Sequence, residues 1–284
     1  MNRPDFVTRF APSPTGLLHR GHAFSALTAF DAAREAGGRF LLRIEDIDTG
    51  RVRPEFETAI FEDLAWLGVE WETPVRRQSD HLGDYAAALS RLQARGLVYR
   101  CFKTRKEVLD DIGRAPHDPT PAYSGAPLAQ AEEAGLIAEG RPFAWRLSLN
   151  AARRELGDFS ALAFLETGAG PNGETGRIAA RPELAGDVVL ARKDLGVAYH
   201  LAVVVDDALQ GVTEVIRGAD LFEATHIQRL VQALLDLPAP TYRHHRLILR
   251  PDGKRFAKRD QTETLRDLRA RGVSPAALRA KLGF

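Results

Sequence analysis

Two histidines that stand three residues apart, His19 and His22, are the first residues along the chain whose types and spacing suggest chemistry. A helix is predicted to begin here, and the free N–H groups and positive dipole end of a helix N-terminus favour a bound phosphate. Gly21 removes a side chain where a ligand must approach closely. Both imidazoles could donate hydrogen bonds to charge that develops on a phosphoryl group. The pattern indicates a phosphate site, and the alternative is a pair of surface histidines.

An acidic residue and an arginine are the next candidates. Glu45 follows a predicted strand over 39–44, and ligands of open α/β sheets bind at such strand ends, where a carboxylate suits an ammonium group. Arg217 follows another apolar segment and could hold a carboxylate through two parallel hydrogen bonds, with Tyr199 stacking or donating beside it. The alternative is a buried strand pair whose arginine reaches solvent. Asp48 is interpreted as a helix cap.

The positive charge is concentrated near the end of the sequence. Residues 238–284 hold 12 Lys and Arg against 4 Asp and Glu, although the whole chain has a formal charge of only +1. Such a basic segment is either a solvated surface or a surface that faces phosphates, and the composition favours neither.

The elements that must position these residues begin with a strand, a turn and a helix. Residues 6–10 are typical of a strand, 11–16 of a turn rich in proline, and 21–36 of a helix that ends at two glycines. A second strand follows over 39–44. Strand, helix and strand within about 40 residues form a βαβ unit, which predicts a parallel sheet.

The remaining elements are predicted more coarsely. Residues 102–185 are rich in Pro, Gly and Ala and are interpreted as an insertion between two halves of the sheet domain. The other predicted elements are helices over 54–67, 81–95 and 221–235, strands over 97–101, 187–191, 200–205 and 246–249, and a last helix opened by Ser274 and Pro275.

Composition excludes several classes of protein. The 284 residues are 44% hydrophobic and 27% charged, which excludes disorder as the dominant state. A single cysteine excludes an intramolecular disulfide framework. The apolar runs are too short to span a membrane, and the N-terminus lacks an apolar signal core, so we expect a cytoplasmic protein. We also expect a monomer.

Four strings carry a resemblance to a known family. Residues 9–22, RFAPSPTGLLHRGH, resemble the HIGH signature of class I aminoacyl-tRNA synthetases in its glutamyl and glutaminyl form. RIEDID at 43–48 and the strings at 197–207 and 215–220 resemble further motifs of that family. GKRFAKR at 253–259 resembles its KMSKS loop. The resemblance implies an α/β fold: a Rossmann-type parallel sheet with an inserted α+β acceptor-type subdomain and a short C-terminal helical and basic segment, without an anticodon-binding domain.

The KMSKS-like loop departs from the family pattern. Arg255 stands at the first lysine and Ala257 at the serine, whereas Lys258 keeps the second lysine. The chain has 33 Arg and only 6 Lys, so Lys254 and Lys258 in one loop suggest that an ammonium group is needed there. In the family this loop neutralises the leaving pyrophosphate.

The resemblance implies a role for each site residue. It assigns ATP binding to His19, Gly21, His22 and Lys258, and catalysis to the two histidines and Lys258. It assigns the amino acid to Arg9, Ala11, Ser13, Glu45, Tyr199 and Arg217. The arginine and tyrosine favour glutamate over glutamine as the substrate, and Mg²⁺ is expected with ATP.

The length of the chain favours one branch of the family. We divide it into two halves of the catalytic domain at 1–101 and 186–237, the insertion at 102–185, and a loop and basic stub at 238–284. The chain ends 26 residues after Lys258, as in a short branch that activates L-glutamate without tRNA. That branch transfers glutamate to the queuosine base in the anticodon stem-loop of tRNA(Asp). The alternatives are a glutamyl-tRNA synthetase fragment that charges tRNA(Glu), a catalytically silent RNA-binding paralogue and, less favoured, a small-molecule nucleotidyltransferase.

The resemblance also raises the question of zinc in the insertion. Family members hold it with Cys-x-Cys, a tyrosine and a later cysteine. Here Cys101 and Tyr123 remain, but Lys103 and Pro127 stand where cysteines would be, and neither can ligate zinc. The sequence therefore predicts no zinc. His81 and His117 are interpreted as surface or loop histidines.

Overall fold

The computed structural model describes residues 6–113, 122–192, 196–248 and 263–284. The strands in these ranges are β1 Val7–Phe10, β2 Arg39–Ile44, β3 Glu72–Arg77, β4 Val98–Cys101, β5 Ala144–Leu147, β6 Ala163–Glu166, β7 Gly176–Ala179, β8 Val189–Arg192, β9 Glu214–Gly218 and β10 Thr241–His245. The helices are α1 Arg20–Ala36, α2 Pro54–Trp66, α3 Leu82–Ala94, α4 Arg105–Gly113, α5 Gln130–Ala138, α6 Leu149–Leu156, α7 Tyr199–Leu209, α8 Phe222–Leu234, α9 Leu265–Ala270 and α10 Pro275–Leu282.

A parallel sheet forms the centre of the fold. β1, β2 and β3 pair in parallel, and so do β9, β10 and β6, with β7 antiparallel at the edge. The two groups adjoin at β1 and β9, where the Thr213 amide donates to the Val7 carbonyl at 2.9 Å. The spatial order β3-β2-β1-β9-β10-β6 reverses direction between β1 and β9, as in doubly wound sheets. The predicted βαβ unit, parallel sheet and α/β class are confirmed.

Helix α1 forms where its sequence is rich in alanine, the strongest helix former. Its buried face, which includes Ala26, Leu27 and Phe30, packs on the sheet. The helix ends at Gly37, whose φ of 63° lies in the left-handed region that a side chain disfavours. The boundaries predicted from the sequence hold within one residue because the start and stop signals are local.

A second, antiparallel sheet holds β4, β5 and β8 in that order. It lies within and around the predicted insertion, together with α4, α5 and α6. Residues 163–166 and 176–179, also within the predicted insertion, instead pair with the central sheet as β6 and β7. The division at residues 102 and 185 stays a prediction.

Two predicted strands are wrong. Residues 200–205 lie in helix α7, where Leu201 to Val205 are all buried, so the run carries no periodicity that separates a helix from a strand. The strand predicted over 246–249 lies earlier, at 241–245, directly after Pro240. The predicted helices over 54–67, 81–95 and 221–235 are confirmed as α2, α3 and α8, and Ser274 caps α10 as predicted.

The C-terminal segment docks beside the start of α1. The Leu265 amide donates to the Leu18 carbonyl at 2.8 Å, and Thr264 forms an antiparallel bridge with His19. Arginines of the basic end contribute ion pairs, for example Arg279 with Asp31 at 2.6 Å. Part of the positive charge in 238–284 therefore holds the fold together.

No helix in the described ranges is both long and apolar enough to cross a bilayer.

Candidate active site

Two adjoining cavities open at the carboxyl ends of β1, β2 and β9, beside the point where the strand order reverses. Such a position is where open α/β sheets bind ligands. The smaller cavity, of about 190 Å³, is lined by Arg9, Phe10, Ala11, Ser25, Glu45, Tyr199, Val203, Ile216, Arg217, Gly218 and Leu221. The larger cavity, of about 310 Å³, is lined by His19, Gly21, His22, Ser25, Gly218, Asp220, His245, Arg246, Leu247 and Ile248. Ser25 and Gly218 line both, so the two cavities lie side by side.

The two histidines at the start of α1 cap the helix. His19 Nδ1 accepts from the Gly21 amide at 3.1 Å, and His22 Nδ1 accepts from the His19 amide at 3.1 Å. The rings stack with centroids 3.8 Å apart. Because Nδ1 accepts in both rings, a neutral imidazole must carry its proton on Nε2. The capping geometry therefore makes each ring a hydrogen-bond donor, which suits a phosphate in the larger cavity.

The glycine between these histidines packs closely against the His19 ring. A Cβ on Gly21 would lie 3.0 Å from His19 Cε1 and 3.2 Å from Nδ1, closer than a side chain normally packs. The space that the sequence reserves for close approach of a ligand is thus taken by the capping imidazole.

The rest of the larger cavity contains both a cationic and an anionic side chain, Arg246 and Asp220. Arg246 lies over the Phe24 ring at 4.8 Å and donates to the Leu282 carbonyl at 3.4 Å. Among the described residues no carboxylate pairs with this arginine. Burial lowers the pKa of His245 below its ordinary value, so that ring adds no charge at neutral pH. Asp220 can accept a hydrogen bond from a hydroxyl group. The cavity therefore suits an anion that also carries hydroxyls.

Arg217 dominates the electrostatics of the smaller cavity. Its guanidinium is 5% exposed and donates to His244 Nε2 at 3.1 Å, Thr225 Oγ1 at 2.7 Å and the Leu221 carbonyl at 3.2 Å. Tyr199 Oη lies 3.5 Å from Nη1. Within the described part of the chain, no carboxylate forms an ion pair with Arg217. A buried cation with neutral partners is costly, and a carboxylate ligand would compensate it.

Glu45 contributes a negative charge to the same cavity. Its carboxylate accepts from Arg43 Nη2 at 3.1 Å. Burial raises the pKa of Glu45 above its ordinary value, although the charges of Arg43 and Arg9 act against it. The negative charge is therefore only partly compensated, and an ammonium group would stabilise it. One cavity thus offers an acceptor for a cation and a donor for an anion.

Arg9 lines the smaller cavity, but its guanidinium already has a carboxylate partner. Nε donates to Asp207 Oδ1 at 2.9 Å and Nη2 to Oδ2 at 3.3 Å. Arg43, which is fully buried, donates to the same Oδ1 at 2.7 Å. Asp207 therefore joins two arginines below the cavity floor. The predicted contact of Arg9 with a ligand stays a prediction.

A further histidine beside the cavity carries no charge. Burial, and then the charge of Arg217, lower the pKa of His200 to about 4. His200 is therefore neutral near pH 7 and leaves the positive potential of the cavity to Arg217.

The other predicted site residues lie in different places. Ala11 lines the smaller cavity, whereas Ser13 lines neither. Lys258 and the loop at 253–259 lie outside the described residues. The nearest described neighbours on either side are Ile248, which lines the larger cavity, and the segment from Glu263 that pairs with His19.

The two remnants of the zinc pattern contact each other. Cys101 Sγ lies 3.7 Å from Tyr123 Oη, and both pack with Tyr99 and Val108 in a small apolar cluster. Asp187 accepts hydrogen bonds here, from Tyr99 Oη at 2.9 Å among others. In the described ranges no group of three potential ligands could hold a metal ion. The absence of zinc stays a prediction.

Sequence reasoning missed the buried partners of the site residues. These are Arg43, Glu166, Asp207 and His244. Asp207 and Arg43 stood inside the quoted motif strings, but nothing in one sequence links them to Arg9, from which Asp207 is separated by 198 residues.

Comparisons with known proteins agree with this geometry. A family model described as tRNA synthetases class I (E and Q), catalytic domain, matches residues 5–158 and 169–283. The chain is 48% identical to the Glutamyl-Q tRNA(Asp) synthetase of Rhodobacter capsulatus, with 98% of this chain and 100% of that protein covered. It is 44% identical to the protein of that name from Nocardia farcinica, with 96% of this chain and 82% of the relative covered.

Longer relatives match over part of their length. The chain is 40% identical to Glutamate–tRNA ligase 1 of Ruegeria pomeroyi but spans 59% of it. A crystal structure of a glutamate tRNA ligase from Elizabethkingia meningosepticum, in complex with its amino acid, superposes with a TM-score of 0.72 at 29% identity. That match covers 90% of this chain and 52% of the solved chain, so this chain spans about half of its length.

Proposed function

The chain belongs to the class I tRNA synthetases of the glutamate and glutamine group, and on this premise we propose that it is a ligase with two steps. It activates L-glutamate with ATP and transfers the glutamyl group to the queuosine base of tRNA(Asp). The relatives that are covered over most of their length and bear the name Glutamyl-Q tRNA(Asp) synthetase support this acceptor.

The observation that carries the choice of amino acid is the charge pattern of the smaller cavity. Arg217 is buried without a carboxylate partner among the described residues, and Glu45 is incompletely compensated. Glutamate presents a side-chain carboxylate to the first and an ammonium group to the second. Glutamine would leave the guanidinium without an anion, which strongly disfavours it.

Activation brings together glutamate in the smaller cavity and ATP in the adjoining larger cavity. The α-carboxylate of glutamate attacks the α-phosphorus of ATP in line, the bond to pyrophosphate breaks, and glutamyl-adenylate forms. The Nε2–H groups of His19 and His22 and the positive dipole end of α1 stabilise charge on the phosphate oxygens. Asp220 accepts from a ribose hydroxyl. The protein contributes position and electrostatics, and no side chain acts as a nucleophile.

Transfer requires only the acceptor and the adenylate. A cyclopentene-diol hydroxyl of queuosine attacks the acyl carbon, the acyl C–O bond to the phosphate breaks, and AMP leaves with the hydroxyl proton on its phosphate. Mg²⁺ would enter with ATP, and Asp220, the single carboxylate lining the larger cavity among the described residues, is the one side chain there that could contribute a ligand to it. We propose that the enzyme acts in the cytoplasm, where these substrates occur, and that it acts as a monomer.

The role of Lys258 rests on the resemblance of residues 253–259 to the KMSKS loop. Its ammonium group neutralises the pyrophosphate as it leaves. The described residues that flank the loop reach the larger cavity and the His19 backbone, which supports this role.

Two measurements test the proposed function. ATP–pyrophosphate exchange should depend on glutamate and proceed without tRNA. Labelled glutamate should then attach to tRNA(Asp) that carries queuosine and not to the same tRNA without it. Equal labelling of both forms, or labelling of tRNA(Glu) alone, would contradict the acceptor and favour a glutamyl-tRNA synthetase activity.

Gly21→Ala should lower the rate of exchange about tenfold, as expected for a lost hydrogen bond to a charged group. The new Cβ would lie 3.0 Å from His19 Cε1, so the ring must shift by a few tenths of an ångström, which weakens both the helix cap and the hydrogen bond to the phosphate. Loss of the cap costs about 1 kcal/mol, but alanine gains about as much over glycine in helix propensity. Thermal unfolding should therefore change little. A variant with normal exchange would show that His19 need not hold this position.

A further inference from the structure

Three buried side chains form a hydrogen-bonded chain that ends at Arg217, the arginine proposed to bind the substrate carboxylate. Glu166 Oε2 is 2.6 Å from His244 Nδ1, and His244 Nε2 accepts from Arg217 Nε at 3.1 Å. Their exposed fractions are 1%, 2% and 5%. We call Glu166, His244 and Arg217 the Arg217 relay. It joins β6, β10 and β9, three adjacent strands of the central sheet.

Hydrogen-bond chemistry fixes the direction of the relay. A guanidinium has donors only, so His244 Nε2 must accept, and its proton lies on Nδ1 and is donated to Glu166. Burial lowers the pKa of His244, which keeps the ring neutral in this tautomer. The carboxylate is held in turn by two amides, since the His244 amide donates to Oε1 at 2.8 Å and the Gly168 amide at 2.9 Å.

The chain is packed to keep this carboxylate in place. A Cβ on Gly168 would collide with the backbone of His244 and lie 3.0 Å from Glu166 Oε1. A glycine is therefore needed for the loop after β6 to pass so close to β10.

The relay anchors one edge of the guanidinium and leaves another for a ligand. Arg217 Nε is held by His244 and Nη2 by Thr225, whereas Nη1 lies on the side of Tyr199, which lines the cavity. The His244 ring separates the negative charge of Glu166 from Arg217, so the carboxylate forms no direct hydrogen bond with the guanidinium. Arg9 is the contrast, since Asp207 contacts two of its nitrogens directly.

We propose that Glu166 and His244 are positioning residues that select a carboxylate substrate. They fix the Arg217 guanidinium and offset part of its charge at a distance, while its cavity edge stays open for the side-chain carboxylate of glutamate. This inference deepens the proposed function and rests on it.

Two substitutions of His244 separate the halves of the relay. In His244→Asn the amide reaches the position of Nδ1, so the bond to Glu166 survives and the bond to Arg217 is lost. In His244→Gln the amide oxygen reaches the position of Nε2 and can accept from Arg217. His226→Asn is the matched control, because His226 is also buried against Phe222 but its Nδ1 accepts from the Arg181 amide.

The readouts are the dissociation constant for glutamate by calorimetry and the kinetics of exchange. His244→Asn should raise the Kd and KM for glutamate about tenfold, with KM for ATP changed less than about twofold. Inhibition by glutamine, which lacks the side-chain carboxylate, should hardly change. His244→Gln should raise the Kd for glutamate about threefold, an intermediate effect, because it keeps the bond to Arg217 and loses the bond to Glu166. His226→Asn should lose stability without a change in KM for glutamate.

The outcomes distinguish the inference from the proposed function. Equal effects of His244→Asn and His226→Asn on glutamate binding, or an equal rise in KM for glutamate and ATP, would overturn the relay alone. A wild-type chain that binds glutamate but does not exchange would contradict the proposed function, while the expected rise in Kd would still support the relay. A wild-type chain that does not bind glutamate would overturn both.

Discussion

Arg217→Gln is expected to lower kcat/KM for glutamate about a thousandfold in ATP–pyrophosphate exchange, with little change in KM for ATP. Removing one partner of a buried, hydrogen-bonded charge pair costs about 2–5 kcal/mol, and about 4 kcal/mol corresponds to three orders of magnitude. The loss is large because Arg217 is the cation of the smaller cavity whose charge no described carboxylate pairs with. The side chain introduced by Arg217→Gln keeps a hydrogen-bonding group but has no positive charge.

Arg229→Gln is the control for this effect. Arg229 is a half-buried arginine of α8 that donates to the Ala163 carbonyl at 2.9 Å, outside both cavities. It should tolerate the same substitution with nearly normal kcat/KM. If Arg217→Gln folds and retains more than about a tenth of the wild-type kcat/KM for glutamate, Arg217 does not bind the substrate carboxylate.

Asp207→Asn should destabilise the fold by about 3–5 kcal/mol, as expected when a buried ion pair loses one partner. The amide would keep an oxygen toward Arg9 Nε and Arg43 Nη1, but it would place a donor against Arg9 Nη2. Two buried guanidinium groups would then share no full negative charge at this position. The free energy of unfolding from urea titration measures the loss.

Glu72→Gln provides a control with similar geometry at the surface. Arg39 donates to both oxygens of Glu72, at 2.8 and 2.6 Å, but both side chains are about half exposed. Solvent screening limits such a pair to about 1 kcal/mol or less. Similar losses for Asp207→Asn and Glu72→Gln would show that burial does not govern the cost.

The Asp207 effect should also depend on pH. Burial alone would raise the pKa of Asp207, but the charges of Arg9 and Arg43 outweigh it and hold the pKa below its ordinary value. Such a group stabilises the fold at a pH above its unfolded pKa, and this contribution is lost as the pH falls through the folded pKa. The stability difference between wild type and Asp207→Asn should be full at neutral pH and shrink below about pH 4.

The sequence predicts those parts of the fold that have local signals. Helix α1 is bounded by a capping residue and by glycines that are recognisable in the sequence. The sequences of α2, α3 and α8 show the periodicity of an apolar helix face. Helix α7 could not be separated from a strand, because its core residues are buried on all sides. The pairing of β6 with β10 joins residues 166 and 242, and neither segment carries a local sequence signal that predicts it.

The candidate site divides in the same way. The residues proposed to contact ligands stand in short strings, so His19, Glu45 and Arg217 could be proposed from type and spacing. Their supports could not, because Glu166 and His244 meet only through sheet pairing between distant strands. Patterns in one sequence predict the ligand-facing groups far better than the groups that hold them.

If a nucleotide binds at His19 as proposed, the bridge between Thr264 and His19 links that binding to docking of the C-terminal segment. A ligand that binds the docked form preferentially must favour docking by the same factor by which docking raises its affinity. The affinity of the larger cavity should therefore depend on a segment that lies more than 240 residues further along the chain. We expect amide protection of residues 263–284 to increase when a nucleotide occupies the larger cavity.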